Sequence, residues 1–157
     1  DLRTFARGRD IAGPFVGLMT AAAMQRAQST TRRHRALTVA AVVTAGLSNA
    51  ATPGLTPPAP PRPGTINLIL LMDARLTRAA MVNAVITATE VKTQVVLTRR
   101  AQTPEGHAAT GTSTDAMVVA CTGRGEALSY AGPVTVVGWL IGQCVRTALE
   151  QALHETS

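Results

Sequence analysis

Aromatic residues are almost absent from this chain, at 3% of its 157 residues. They are Phe5, Phe15, Tyr130 and Trp139. Modules that bind RNA commonly stack bases on aromatic side chains, which this chain can hardly supply. Its fourteen arginines and one lysine give a formal net charge of +6, but the arginines are scattered along the sequence. We therefore expect a solvated basic surface and no nucleic-acid partner.

Cysteine, histidine and long apolar runs are equally sparse. Cys121 and Cys144 stand far apart without C-x-x-C spacing, and the three histidines are isolated, so we expect no metal site. Two free thiols are typical of a reduced, cytoplasmic protein. No apolar run reaches the ~18 residues that span a membrane, and no signal peptide is visible. The sequence therefore predicts a cytoplasmic protein that does not enter the membrane.

The remaining composition predicts one packed domain. Apolar residues make up 46% of the chain and charged residues 15%, which is enough for a core of aliphatic side chains. Residues 1–15 form a polar, Arg-rich arm, and residues 16–153 form the domain. Six prolines between residues 52 and 64 predict an extended loop. A linker is the alternative, but each flank is too small to fold alone.

Apolar periodicity divides the domain into helices and strands. The predicted helices are 20–28, with Thr20 as N-cap, 76–93 and 134–153; the predicted strands are 37–44, 65–73 and 114–121; residues 29–35 and 98–113 are a turn and a loop. This order predicts an α/β or α+β fold, a small mixed sheet covered by helices in a single layered domain. About three strands leave apolar faces for a preceding segment or a second subunit to cover, so a homo-oligomer is one expectation.

Four polar clusters stand where these elements meet loops. They are T-A-G-L-S-N-A at 44–50, G-T-I-N at 64–67, T-E-V-K-T at 89–93 and A-T-G-T-S-T-D-A at 109–116. Because strand ends in α/β folds commonly hold ligands, we expect the four clusters to converge on one cleft.

The four clusters, in this order, resemble the signature of the adenosylcobinamide amidohydrolase family. V-G-L-M-T-A-A at 16–22 also matches the family, and the resemblance covers about residues 16–150. It implies hydrolysis of the amide that joins the aminopropanol arm to the corrin ring of adenosylcobinamide. The product, adenosylcobyric acid, re-enters cobamide synthesis. The corrinoid is then the substrate, and no cofactor is implied.

Two other functions remain open on the sequence. One is a Ser- or Thr-dependent amidohydrolase or acyltransferase that acts on a different amide. The other is a corrinoid-binding domain without turnover.

Amide hydrolysis needs an attacking group, donors for the oxyanion and an acid for the leaving amine. No Cys-His or Ser-His-Asp arrangement lies near the clusters, so the candidate catalytic residues are Glu90, Lys92 and Asp115. An unpaired buried Asp115 would be costly, and Lys92 is the only side-chain amine. Lys92 at a helix end also suits the helix dipole, whereas Glu90 opposes it. On one helix Glu90 and Lys92 project about 200° apart and cannot share a cleft.

The candidate substrate-binding residues are small or carry hydroxyl or amide groups. They are Thr44, Ser48, Asn49, Asn67, Thr110, Gly111, Thr112, Ser113 and Thr114. The string 110–114 brings backbone N–H groups and hydroxyls close to a ligand, or else forms a turn that satisfies its own backbone. Asn49 and Asn67 meet if their strands pair and could hold an amide; the alternatives are an Asx-turn and a strand-edge cap.

Overall fold

Four strands form the central sheet of the protein, described here from a computed structural model that covers residues 2–60 and 62–154. The strands along the chain are β1 (Gln28–His34), β2 (Leu37–Gly46), β3 (Ala50–Ala51), β4 (Thr65–Asp73), β5 (Arg75–Leu76), β6 (Gly111–Thr112), β7 (Ala116–Cys121) and β8 (Ala127–Leu128). The helices are α1 (Leu2–Arg7), α2 (Arg78–Thr98) and α3 (Val136–His154), and a short 3₁₀ helix spans Met24–Arg26.

The central sheet has the strand order β1-β2-β4-β7. β1 and β4 each pair antiparallel with β2, whereas β7 runs parallel to β4. Two small pairs, β3 with β6 and β5 with β8, lie outside it. A mixed sheet covered by helices confirms the predicted fold class in its α+β form.

Alternate residues of β4 form the floor of the core. Ile66, Leu68, Leu70 and Met72 are at most 2% exposed, whereas Leu71, on the opposite face, is 46% exposed. Successive side chains of a strand point to opposite faces, so one face of the sheet packs on the helices. The observed bounds of β4 equal the predicted 65–73 because this long aliphatic run lies between a Pro-rich segment and a turn.

The helix α3 covers the sheet with a continuous apolar face. Its predicted buried residues are all 0–1% exposed: Leu140, Ile141, Cys144, Val145, Ala148, Leu149 and Ala152. They recur at three- and four-residue spacing, which places them on one side of the helix. The prediction of a closing helix is confirmed, with an observed start at Val136.

The helix α2 begins two residues later and ends five residues later than predicted. The Thr77 side chain caps it by accepting a hydrogen bond from the Ala80 backbone N–H at 3.2 Å. Ala80, Ala84 and Ala88 are fully buried. Their small side chains let α2 pack closely on the core while the chain keeps a high helix propensity.

The N-terminal part differs from the prediction in two places. Residues 2–7 of the expected extended arm form α1, while Asp1 lies outside the described residues. The expected helix over 20–28 is reduced to a 3₁₀ helix at Met24–Arg26. Thr20 instead accepts a hydrogen bond from the Ala22 backbone N–H at 3.0 Å, which closes a local turn.

The predicted turn at 29–35 is wrong, since these residues belong mostly to β1. This strand pairs with the whole first part of β2, from Gln28 opposite Val43 to His34 opposite Leu37. It is an edge strand, and its side chains are mostly exposed. Polar residues therefore cost little there, and pairing with β2 outweighs the turn-like composition of the segment.

The Pro-rich segment contains no regular element within 52–60 and 62–64, and Pro61 lies outside the described residues. No helix in the described part of the chain combines the length and apolar character needed to cross a membrane.

Candidate active site

The Asp115 carboxylate accepts hydrogen bonds from three different parts of the chain. Oδ1 accepts from the Ile66 backbone N–H at 3.1 Å and from the Thr112 hydroxyl. The Thr112 backbone N–H donates to both oxygens at 3.2 Å. Oδ2 also forms an ion pair with Lys92 Nζ. A carboxylate offers about four acceptor positions, so these donors occupy Asp115 almost completely.

The fold places this pair at one end of the sheet. Asp115 precedes β7, and the neighbouring Ala116 pairs with Asn67 of β4. Because strand side chains alternate, Asp115 points to the helix-covered face, where Lys92 reaches it from α2. The side chains of Lys92 and Asp115 are 14% and 19% exposed. The pair is therefore largely shielded from water but still accessible.

Gly111 makes this close packing possible. A Cβ atom at this position would lie 2.4 Å from Asp115 Oδ2 and 2.6 Å from Lys92 Nζ. Both distances are too short for a real contact, so a side chain at 111 would push the pair apart. The close approach of the Asp115 and Lys92 side chains to Gly111 thus explains the glycine of the A-T-G-T-S-T-D-A cluster.

A second network surrounds the Asn49 side-chain amide. Its Nδ2 donates to the backbone oxygens of Gly64 at 2.8 Å and Arg62 at 3.2 Å. It also lies 2.9 Å from Ser113 Oγ and 3.2 Å from Thr114 Oγ1. The Asn49 amide therefore ties together three of the four clusters found in the sequence.

Neighbouring polar groups strengthen this network. Ser48 Oγ donates to the Pro63 backbone oxygen at 2.7 Å. Thr65 Oγ1 donates to the Thr114 backbone oxygen at 2.7 Å. The Thr110 backbone N–H donates to the Ala51 oxygen at 3.1 Å as the chain enters β6. Backbone groups of the string 110–114 thus form hydrogen bonds with residues of two other segments, and one bond, from the Thr114 N–H to the Thr112 hydroxyl, lies within the string.

Thr44 and Asn67 lie on the opposite face of the sheet from Asp115. They are directly paired on β2 and β4. Asn67 Nδ2 donates to the Met19 backbone oxygen at 2.7 Å, and the Thr44 hydroxyl lies 3.2 Å from that of Thr20. Both side chains hold the N-terminal segment on the sheet. Although β2 and β4 pair, the described hydrogen bonds of the Asn49 side chain run to Arg62, Gly64, Ser113 and Thr114 rather than to Asn67.

Glu90 lines a separate groove between α2 and α3. This groove, about 590 Å³, is also lined by Arg32, Trp139 and Arg146. Lys92 lines a smaller recess of about 110 Å³ with Asp115. The two side chains leave α2 in different directions, as their two-residue spacing predicts. The structure thus brings Lys92 and Asp115 together and leaves Glu90 apart from them.

Comparison with known proteins identifies the family of the chain. A model of the family "Adenosylcobinamide amidohydrolase" matches residues 1–157. The chain belongs to this family. The prediction made from the four clusters is confirmed.

Two relatives in this family carry the same description. The adenosylcobinamide amidohydrolase of Halobacterium salinarum is 41% identical over 134 residues, which are 81% of this chain and 55% of that protein. That of Methanosarcina mazei is 32% identical over 162 residues, which are 98% of this chain and 73% of that protein. This chain thus spans about half the length of the Halobacterium relative. No solved structure matches it.

Some residues of the family clusters were not among the predicted site residues. Thr65 is 4% exposed, and its hydroxyl links two clusters. Gly64 has φ +134°, and a Cβ there would lie 2.3 Å from Asn49 Oδ1. Both belong to the G-T-I-N cluster, so the motif itself was the available signal. The Ile66 backbone N–H carries no side-chain signal and could be found only in the structure.

The cysteines and histidines lie away from the Lys92–Asp115 recess in the part of the chain that the structure describes. His34 contacts the Trp139 ring edge-on at 6.4 Å between centroids. The Cys144 thiol donates to the Val39 backbone oxygen at 3.3 Å. Among the described residues, no group of three or more His, Cys, Asp or Glu side chains is arranged to hold a metal ion.

The two thiols are expected to differ strongly in reactivity. Burial raises the pKa of Cys144, and nearby Arg32 opposes this rise only in part. The thiolate is the reactive form, so iodoacetamide at pH 8 should modify Cys144 at least ~10-fold more slowly than the partly exposed Cys121. Peptide mass mapping checks this, with urea-unfolded protein as the control in which both thiols react. Equal rates in the folded protein would contradict the burial of Cys144.

The same pKa shift has a defined effect on stability. The raised pKa means that the folded state holds the Cys144 proton more tightly than the unfolded state does. The protonated Cys144 thiol therefore contributes to the free energy of unfolding. This stabilisation is fully present below the unfolded-state pKa and is lost as the pH rises through the folded-state pKa.

Proposed function

We propose that this protein hydrolyses the amide between the aminopropanol arm and the corrin ring of adenosylcobinamide, giving adenosylcobyric acid. The family and the names of its relatives support this activity. The structural observation that carries the proposal is the Lys92–Asp115 ion pair, held at the bottom of a small recess beside the family clusters.

Lys92 is the catalytic group of this hydrolysis. Its ammonium has three N–H donors, and Asp115 is its one hydrogen-bond partner among the described residues. The other donors can meet the carbonyl oxygen of an amide placed in the recess. As water adds to the carbonyl carbon, this oxygen becomes negative and is stabilised by the ammonium.

The same pair can balance the protons of the reaction. The attacking water loses one proton, and the leaving amine of the aminopropanol arm gains one when the C–N bond breaks. Lys92 gives one proton to the leaving nitrogen as the C–N bond breaks and then takes up the proton released by the attacking water, so it ends protonated as it began. An amine has this freedom, whereas an arginine in its place would stay protonated.

Asp115 is a positioning residue in this proposal. Its two oxygens are already occupied by the donors of Ile66, Thr112 and Lys92. These donors hold the carboxylate in place, and its ion pair orients the Lys92 ammonium. Thr112 of the hydroxyl-rich string supports this position by donating to Asp115 from both its backbone N–H and its hydroxyl.

The two free cysteines also support a location in a reducing compartment. We propose the cytoplasm, where a salvage enzyme would meet its corrinoid substrate.

The purified chain is expected to convert adenosylcobinamide into adenosylcobyric acid without ATP. Water is the only co-reactant that amide hydrolysis requires. Mass spectrometry of the corrinoid measures the product, and a reaction in H₂¹⁸O should place one ¹⁸O in the new carboxyl group. Heat-denatured protein is the control.

Two outcomes separate the alternatives. Folded protein that binds the corrinoid without forming product favours a corrinoid-binding domain. Folded protein that neither binds it nor forms product at high concentration contradicts the proposed substrate, and a different amide becomes the better candidate.

A further inference from the structure

The helix α2 carries an apolar stripe on the side that faces solvent. Val82, Val85 and Ile86 are 62%, 38% and 50% exposed, and Thr89 continues the stripe one turn further. A surface helix normally presents charged and polar residues on this side. We call the residues Val82, Val85, Ile86 and Thr89 the α2 outer face.

This face is continuous with the candidate active site. Val85 and Thr89 line the recess that holds Lys92 and Asp115, and Met117 of β7 lines it too. The stripe has no charged side chain of its own. A ligand lying across it would therefore meet apolar atoms first and the Lys92 ammonium at one edge.

The size of the recess limits what can enter it. Its volume of about 110 Å³ suits an amide group and a few neighbouring atoms. Sites that bury a whole drug-sized ligand have about 300–1,000 Å³. A corrin macrocycle must therefore rest on the surface around the recess while one of its side chains enters.

We infer that the α2 outer face is the platform on which the corrin ring of the substrate lies, with the scissile side chain directed to Lys92. This inference rests on the proposed function and adds the surface that positions the substrate. A corrin presents a broad ring with methyl groups as well as amide side chains at its edge, and burial of the ring and methyl carbons against aliphatic side chains is favourable. The flanking charges of α2, Glu90 and Lys92, stay at the margin.

The test replaces both exposed aliphatic residues by a neutral side chain. The Val82→Gln/Ile86→Gln variant keeps the helix propensity and removes the apolar surface. The matched control variant is Val134→Gln, which replaces an equally apolar residue that is 98% exposed in the segment before α3. Binding of adenosylcobinamide is measured by centrifugal filtration with the visible absorption of the corrinoid, and turnover by product mass.

The inference predicts that the double variant raises Kd and KM about tenfold while kcat changes little. Val134→Gln should leave both values near those of the wild type. Equal Kd values for the double variant and Val134→Gln would overturn the inference and leave the hydrolase proposal standing.

Other outcomes also decide between the two proposals. Wild-type protein that binds corrinoid through this face without forming product supports the platform and contradicts the hydrolase. Wild-type protein that binds no corrinoid overturns the platform. A change from dimer to monomer in the double variant, measured by analytical ultracentrifugation, would assign the face to a second copy of the chain and overturn the platform as well.

Discussion

Replacement of Lys92 by methionine is expected to lower turnover of adenosylcobinamide by about 10²–10⁴-fold, the usual cost of losing an acid–base group. Methionine has a similar length and an apolar body, so it fills the space of the lysine stem. Asp115 keeps its hydrogen bonds from Ile66 and Thr112 and should hold its place. The measurement is the rate of adenosylcobyric acid formation at saturating substrate, with binding measured separately.

Two variants control this experiment. Glu90→Gln lies on the same helix but lines the other groove, so its rate should stay within a few-fold of the wild type. Lys92→Arg keeps the positive charge but cannot release a proton, so it should recover binding without recovering turnover. A loss of activity in Glu90→Gln with full activity in Lys92→Met would assign the catalytic role to Glu90 instead of Lys92.

Asp115 is expected to act through Lys92, which a double-mutant cycle can test. Asp115→Asn alone should lower the rate, because the ammonium loses the carboxylate partner that orients it. The Lys92→Met/Asp115→Asn variant should be no slower than Lys92→Met alone, since residues that act as a unit are not additive. Fully additive losses would show that Asp115 has an independent role.

Gly138→Ala is expected to destabilise the fold by about 3 kcal/mol or more, the upper range for overpacking. A Cβ at this position would lie 1.9 Å from the Gly132 backbone oxygen and 2.7 Å from that of Ala131. These are backbone atoms, so relief requires a shift of the chain. The shift would also strain the hydrogen bond from the Thr87 hydroxyl to the Ala131 oxygen, which is 2.8 Å long.

Gly142→Ala, one turn further along α3, is the matched control. Its Cβ would meet Val91 at 3.7 Å, an ordinary contact, so the helix propensity of alanine should stabilise the protein by up to ~1 kcal/mol. Urea unfolding followed by the fluorescence of Trp139, the only tryptophan, measures both variants. Equal unfolding midpoints for Gly138→Ala and Gly142→Ala would contradict the close approach of α3 to the segment before it.

Local sequence patterns determined the elements that have strong periodicity. The aliphatic run of β4 and the apolar face of α3 were predicted at or near their observed bounds because burial follows from spacing alone. The family clusters pointed to the chemistry and to the region of the site. The 200° separation of Glu90 from Lys92 also followed from helix geometry, before any tertiary contact was known.

Tertiary structure decided what these patterns could not. Residues Gln28–His34 form the strand β1 because they pair with β2, and the polar side chains of β1 face solvent at the sheet edge. Thr44 and Asn67 lie on the face away from Asp115, since the register of β4 with β7 sets which side each residue takes. The pairing of Lys92 with Asp115 depends on how α2 crosses the end of the sheet and on Gly111 beneath them. Sequence spacing acts over a few residues, whereas such contacts join distant segments, so only the packed fold determines them.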